Sequence, residues 1–177
     1  MSKNRNLVLF IASSLDGYIA TIDESLEWLF NVEGEGDNGF AEFYETVDTV
    51  LLGKKTYDWL MRQNLKEFPY QSKQCYVFTR SSIEDTKDVK FVNEDVSKFV
   101  NKFKSQDGKK IWIVGGGELL HSFLQEKLVD EFIITVAPIL LGTGIPLFKE
   151  GDYQMELSFK GMRNFNQFVE LHYEVKK

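Results

Sequence analysis

The chain is poor in the residues that build covalent or metal-centred chemistry. Its 177 residues include one cysteine, Cys75, and two histidines. A lone cysteine excludes an intrachain disulfide framework and a thiolate metal cluster, and its place in the apolar stretch Cys75-Tyr-Val-Phe78 implies a buried, inert thiol. His121 falls off the apolar stripe of its predicted helix and His172 lies in a terminal strand, so neither has the partners a triad or a metal site needs, and no metal is expected. Basic charge is also short, with 21 Lys and Arg against 27 acidic residues and a formal net charge of -6. With no long basic run to offset it, that balance disfavours nucleic acid as a partner. No apolar run approaches a membrane span. The basic start Met1-Ser-Lys-Asn-Arg-Asn6 precedes an apolar run, Leu7 to Ala12, that is too short for a secretory core and lacks a small-residue cleavage pattern. A cytoplasmic protein that binds a small molecule is the expectation. There is no repeat, low-complexity tract or linker. With 43% hydrophobic residues, among them 15 Phe, 7 Tyr and 3 Trp, the chain can bury one substantial core, so residues 1–177 are read as a single domain.

What is present is a strand that discharges into glycine. Lys110-Ile-Trp-Ile-Val-Gly-Gly-Gly-Glu-Leu-Leu120 runs from an apolar, β-branched stretch through Gly115, Gly116 and Gly117 into a helical pattern. Three glycines leave no Cβ where a ligand approaches the backbone, and the unpaired N–H groups that open a helix attract anions. One glycine would suffice for a turn. The dinucleotide fingerprint G-x-G-x-x-G would need glycine where Leu120 stands, so the site is nucleotide-like but outside the standard Rossmann pattern.

The rest of the chain alternates in kind. Leu7 to Ala12, Thr49 to Leu52, Gln74 to Phe78, Val89 to Val92 and Glu131 to Val136 read as strands. Helical spacing joins Phe40, Phe43, Tyr44 and Val47, with Asp37 or Asn38 as its cap, then Tyr57, Leu60 and Met61, then Val96, Phe99, Val100 and Phe103, and finally Leu119, Leu120, Phe123, Leu124 and Leu128. Strand, helix, strand in repetition argues a largely parallel α/β sheet with ligands outside the carboxyl ends of its strands. Beyond Pro138 the alternating segments Glu156 to Arg163 and Phe168 to Val175, separated by Asn164-Phe-Asn166, read as an antiparallel hairpin. Gly53-Lys-Lys-Thr56 is a second glycine turn between strand and helix. Lys54, Lys55 and Arg80 at strand ends concentrate positive charge in an acidic chain, as a phosphorylated cofactor requires.

In order and spacing, Ser13-Ser-Leu-Asp-Gly-Tyr-Ile-Ala20, Leu51-Leu-Gly-Lys-Lys-Thr-Tyr57, Val77-Phe-Thr-Arg-Ser81, Trp112-Ile-Val-Gly-Gly-Gly117, Val129-Asp-Glu-Phe132, Ala137-Pro138 and Leu141-Gly-Thr-Gly-Ile-Pro-Leu-Phe148 resemble the dihydrofolate reductase superfamily. Within it they resemble the branch of the reductase domain of bifunctional riboflavin-biosynthesis proteins, here without a deaminase domain. The resemblance spans nearly the whole chain. It implies an α/β, dihydrofolate-reductase-like fold with a central, mostly parallel sheet, an antiparallel C-terminal strand pair and flanking helices. It implies NADPH across the strand ends, with Gly115, Gly116, Gly117 and Glu118 at the pyrophosphate. Gly53, Lys54, Lys55 and Thr56 would lie on the other side, and Thr79, Arg80 and Ser81 at the adenosine ribose and its 2′-phosphate. Counting back from Gly53 as in folate-reducing relatives lands on Asp37 as the acid. The Leu-Asp-Gly segment offers Asp16, beside the nicotinamide in the riboflavin branch. Trp28 and Phe40 would line the substrate pocket, and a homodimer is expected from the branch.

The chain departs from its relatives in two ways. A single cysteine rules out the zinc deaminase signature, so any riboflavin-type activity is the reduction alone. The acidic residues between Trp28 and Phe40 break the folate-binding pattern. Three readings follow: an NADPH-dependent reductase of a C=N or C=O carbon in a small heterocycle such as 5-amino-6-(5-phosphoribosylamino)uracil, a dihydrofolate reductase, and a non-catalytic nucleotide-binding or regulatory protein.

Overall fold

The computed structural model describes residues 5–177; the first four residues of the predicted domain lie outside the described part. Six strands run parallel: β1 (Leu7–Ser14), β3 (Val47–Gly53), β4 (Gln74–Phe78), β5 (Lys90–Val92), β6 (Lys110–Gly115) and β7 (Glu131–Ala137). β10 (Phe168–Val175) pairs antiparallel with β7, and β9 (Leu157–Phe165) pairs antiparallel with β10, giving the order β5-β4-β3-β6-β1-β7-β10-β9. This is the expected mostly parallel sheet with an antiparallel C-terminal pair. A short second ladder, β2 (Tyr18–Ala20) with β8 (Ile145–Pro146), has no signature in the sequence at its length.

Because side chains alternate across a strand, each strand serves two cores. Leu7, Leu9, Leu51, Ile111 and Ile113 point to the face covered by α4 (Val96–Lys104) and α5 (Gly117–Gln125). Val8, Val50, Leu52, Val77 and Trp112 point to the other, beneath α2 (Phe40–Tyr44) and α3 (Lys54–Met61). Phe123 of α5 is fully buried, and burial of such a ring stabilises by roughly 1.5–3 kcal/mol. α5 closes on Lys127 in the left-handed region, with Leu128 N–H donating to the Phe123 carbonyl at 2.9 Å and Lys127 N–H to that of Leu124 at 3.0 Å. This is a Schellman closure, and it places Leu128 in the core beyond the helix whose stripe it continues in sequence.

Two of the boundaries that differ from the sequence reading change what a residue does. Val47 opens β3 instead of closing the preceding helix, which ends at Tyr44. β9 extends to Phe165, and the hairpin turns on Asn166-Gln167 with Asn166 at φ 57°. Asparagine tolerates that left-handed conformation, and a two-residue turn suits the twist of the strands it joins. Cys75 is buried as expected, which pushes its thiol up to about 12. No helix among the described residues is long and apolar enough to cross a membrane.

Candidate functional site

The two glycine turns meet. Gly53 ends β3 and Gly115 ends β6, neighbouring strands in the sheet, so α3 and α5 start side by side at the same edge. A Cβ built on Gly116 would lie 3.4 Å from both Gly53 Cα and Thr56 Oγ1, and Gly116 itself sits at φ 108°. The backbone conformation requires glycine here, and a Cβ would also fill the narrow gap to the facing turn. Neither helix has a side-chain cap at its start. By contrast, α4 is capped by Asp95, which accepts from Lys98 N–H at 3.1 Å. The first N–H groups of α3 and α5 are thus left for a ligand.

Around this meeting point lies a cleft of about 870 Å³, toward the upper end of small-molecule sites. It crosses the carboxyl ends of five neighbouring strands, from Asn93 and Glu94 after β5 to Ile11 and Ala12 of β1, about 19 Å at the usual strand spacing. Its glycine-rich and basic part contains Gly53, Lys54, Lys55, Thr56, Thr79, Arg80, Gly115, Gly116, Gly117, Glu118 and Lys149. Its apolar part contains Ile19 and Ala20, then Leu26, Leu29 of α1 (Glu27–Phe30), Trp59, Leu60 and Tyr70. Of the residues expected at the cofactor, Ser81 alone stands outside the lining; its N–H donates to Thr79 Oγ1 at 3.1 Å and so shapes the turn after β4.

The lysines divide. Lys54 donates to Asp58 one turn on at 2.6 Å, whereas Lys55 lies 3.8 Å from Glu118 Oε1 with no hydrogen bond. Lys149, from the segment after β8, lies 3.7 Å from the same oxygen. Glu24 closes one side of the cleft: its carbonyl accepts from Trp59 Nε1 at 3.1 Å and its carboxylate from Arg62 at 2.8 Å. Burial pushes the Tyr70 phenol up, so it stays protonated.

The four substrate-side candidates stand outside the lining. Asp37 accepts from Gly39 N–H at 3.0 Å and Ala41 N–H at 2.8 Å, which secures the start of α2. Asp16 receives the Ser14 hydroxyl at 2.5 Å and the N–H groups of Gly142 at 2.8 Å and Leu141 at 3.1 Å, and these bonds hold its carboxyl below the usual range. It therefore ties the turn after β1 to the loop after β7. Phe40 packs between Tyr44 and Trp112, with ring centroids at 5.4 and 5.7 Å, and Trp28 Nε1 donates to the Ser25 carbonyl at 3.2 Å. Sequence reasoning passed over Lys149, Tyr70, Trp59, Leu26 and Leu29, which carry no motif.

His172, expected to lack the partners of a triad or metal site, has its Nε2 3.3 Å from Glu131 Oε2 but with no hydrogen-bond partner among the described residues, and Glu174 completes a group whose ligand atoms fall within 4.8 Å. Lys110 Nζ, 2.9 Å from the same Glu131 oxygen, already supplies a cation there.

The family model described as the RibD C-terminal domain matches residues 5–171. Two Bacillus subtilis (strain 168) proteins are similar over almost their whole length. YwjB is 51% identical over 171 residues, with 96% of this chain and 97% of that protein covered. YyaP is 33% identical over 177 residues, with 94% and 93% covered. Among solved structures, a Shewanella sp. PV-4 protein provisionally named for riboflavin biosynthesis superposes with a TM-score of 0.87 at 30% identity, covering 97% of this chain and 99% of that one. Dihydrofolate reductase from Enterococcus faecalis, complexed with NADP(H) and RAB-propyl, superposes with a TM-score of 0.69 at 15% identity, covering 97% of each chain, a likeness of fold alone.

Proposed function

Since the chain belongs to the RibD C-terminal domain family, we propose that it is an NADPH-dependent reductase of a small heterocyclic substrate of the 5-amino-6-(5-phosphoribosylamino)uracil type. The observation that carries this reading is the apposition of Gly53 and Gly116 beneath two uncapped helix starts, in one cleft with Arg80 and an apolar compartment. A diphosphate fits where the glycines leave no Cβ and the helix N–H groups converge. The exposed Arg80 guanidinium, which forms no ion pair among the described residues, suits a 2′-phosphate through charge-assisted hydrogen bonds.

When bound, the cofactor supplies the hydride for a C=N or C=O carbon. The protein's part is to hold both partners in reach and keep water from the reacting atoms. Ile11, Ile19, Leu26, Leu29 and Trp59 form the apolar walls against which a flat ring would lie, and Tyr70 offers a donor to its polar edge. A dihydrofolate reductase reading is weaker, because Asp37, the carboxylate it would use, is spent on the start of α2 outside the cleft.

Fluorescence titration with NADPH and NADH tests the reading. NADPH should bind more tightly, and Arg80→Ala should weaken NADPH about tenfold or more, the worth of a charged hydrogen bond, while leaving NADH unchanged. Binding of neither nucleotide, or a preference for NADH, refutes it.

A further inference from the structure

The cleft holds an anion of its own at the place where a phosphoryl group is wanted. Glu118 reaches from the first turn of α5 with Oε1 3.8 Å from Lys55 Nζ and 3.7 Å from Lys149 Nζ. The two ammonium groups come from separate elements, α3 and the segment after β8, and approach the same oxygen. All three residues line the cleft. The Lys149 stem lies along the glycine turn, its Cε 3.6 Å from the position a Cβ on Gly117 would take.

Both contacts are longer than a hydrogen bond. Neither lysine therefore spends a donor on Glu118, in contrast to Lys54, which donates to Asp58 at 2.6 Å. Two cations held at Coulombic range, with no hydrogen bond spent among the described residues, beside glycines that admit a ligand to the backbone, form a site more complete with a phosphoryl group than with the carboxylate. The phosphoryl brings more charge and several acceptor oxygens.

We propose that Glu118 is a resident counter-anion that the diphosphate of the cofactor displaces, and that Lys149 is a cofactor-binding residue which passes from Glu118 to the phosphate. This rests on the nucleotide reading of the cleft and alters one part of it, since Glu118 opposes the cofactor instead of holding it. With a carboxylate 63% exposed and a Lys149 side chain 35% exposed, the displacement costs little, and Glu118 sets affinity without blocking the site.

Isothermal titration with inorganic pyrophosphate and, separately, with NADPH tests this in the wild type, Glu118→Gln and Lys149→Met. Both changes fall on partly exposed side chains, and circular dichroism checks that the fold is kept. Glu118→Gln should tighten pyrophosphate and NADPH about threefold to fivefold, the worth of two exposed ion pairs, and Lys149→Met should weaken both by about as much or more. Unchanged or weaker affinity in Glu118→Gln, unchanged affinity in Lys149→Met, or no pyrophosphate binding in either the wild type or Glu118→Gln overturns the proposal. Pyrophosphate binding that follows the expected pattern while NADPH fails to bind upholds the anion site and refutes the cofactor reading, so the two stand or fall separately.

Discussion

Gly116→Ala adds one methyl group at the centre of the proposed cradle, and its effect follows from two structural quantities. The residue sits at φ 108° and ψ 104°, a conformation that costs a residue with a side chain about 1–3 kcal/mol. The new Cβ would meet Gly53 Cα and Thr56 Oγ1 at 3.4 Å each, a close contact that adds little to the cost of the backbone conformation. We expect a loss of about 1–3 kcal/mol in stability, read as the shift of the urea midpoint at constant slope, with a fall in Tm of about 2–4 °C for each kcal/mol in a chain of this size. On the proposed reading binding should suffer separately, because the methyl group would narrow the gap between the two glycine turns. NADPH affinity measured by calorimetry well below the variant's Tm should drop at least about tenfold, equal to 1.4 kcal/mol. Gly161→Ala is the matched control: no heavy atom lies within 4 Å of its added Cβ and its φ is ordinary, so stability and binding should hold. A Gly116→Ala protein as stable and as tight-binding as the wild type would refute both the strain argument and the cradle.

Two further outcomes concern charge. Glu131 is 3% exposed, accepts from Asn6 at 2.6 Å and pairs with Lys110 at 2.9 Å. Burial raises its carboxyl, but the hydrogen bonds from Asn6 and Lys110 outweigh it and hold the group below its ordinary value. Its contribution to stability is therefore present above the unfolded carboxylate range and is lost as pH falls through the lowered folded value. Lys110→Met should cost about 2–3 kcal/mol at neutral pH, less than a fully buried pair because Asn6 remains, and that cost should shrink as pH falls and Glu131 becomes neutral; urea midpoints that match the wild type at pH 7, or a cost that stays constant down to pH 3, would contradict this. Gly39 and Ala41 donate to different oxygens of Asp37, so Asp37→Asn keeps one of the two hydrogen bonds and an acceptor at the helix start; NADPH oxidation should stay within about twofold of the wild type, whereas Asp37→Ala should lose about 1 kcal/mol of stability as a lost helix-start contact. A large fall in kcat in Asp37→Asn with stability unchanged would show instead that the carboxylate takes part in the chemistry.

Much of the fold was legible because it is written locally. Apolar runs with β-branched residues make parallel strands buried on both faces, the helical stripes name the residues that cover them, and glycine at a strand end marks where the chain turns into the next helix. The sequence by itself thus determined the order of the main-sheet strands and of the helices that cover them, the antiparallel pair at the end and the glycine-rich side of the cleft, but not α1 or the β2–β8 ladder. Misread points were those where two periodicities overlap: Val47 fits the spacing of α2 and the first position of β3, and pairing with β6 decides for the strand.

Only the tertiary structure decided what the side chains at those places do. Lys54 and Lys55 are neighbours in sequence, but a step of one residue turns roughly 100° around a helix, so one ammonium meets Asp58 and the other faces Glu118 across the cleft. Lys149, Tyr70 and Glu24 reach the cleft from segments far apart in the chain, where no local pattern signals them. Asp16 and Asp37 carried the right chemical type, but backbone N–H groups claim their oxygens outside the cleft. Periodicity and turn chemistry act over a few residues and can be read along the chain. The direction of a charged side chain, and the partner that claims it, depend on which distant segments the sheet brings together.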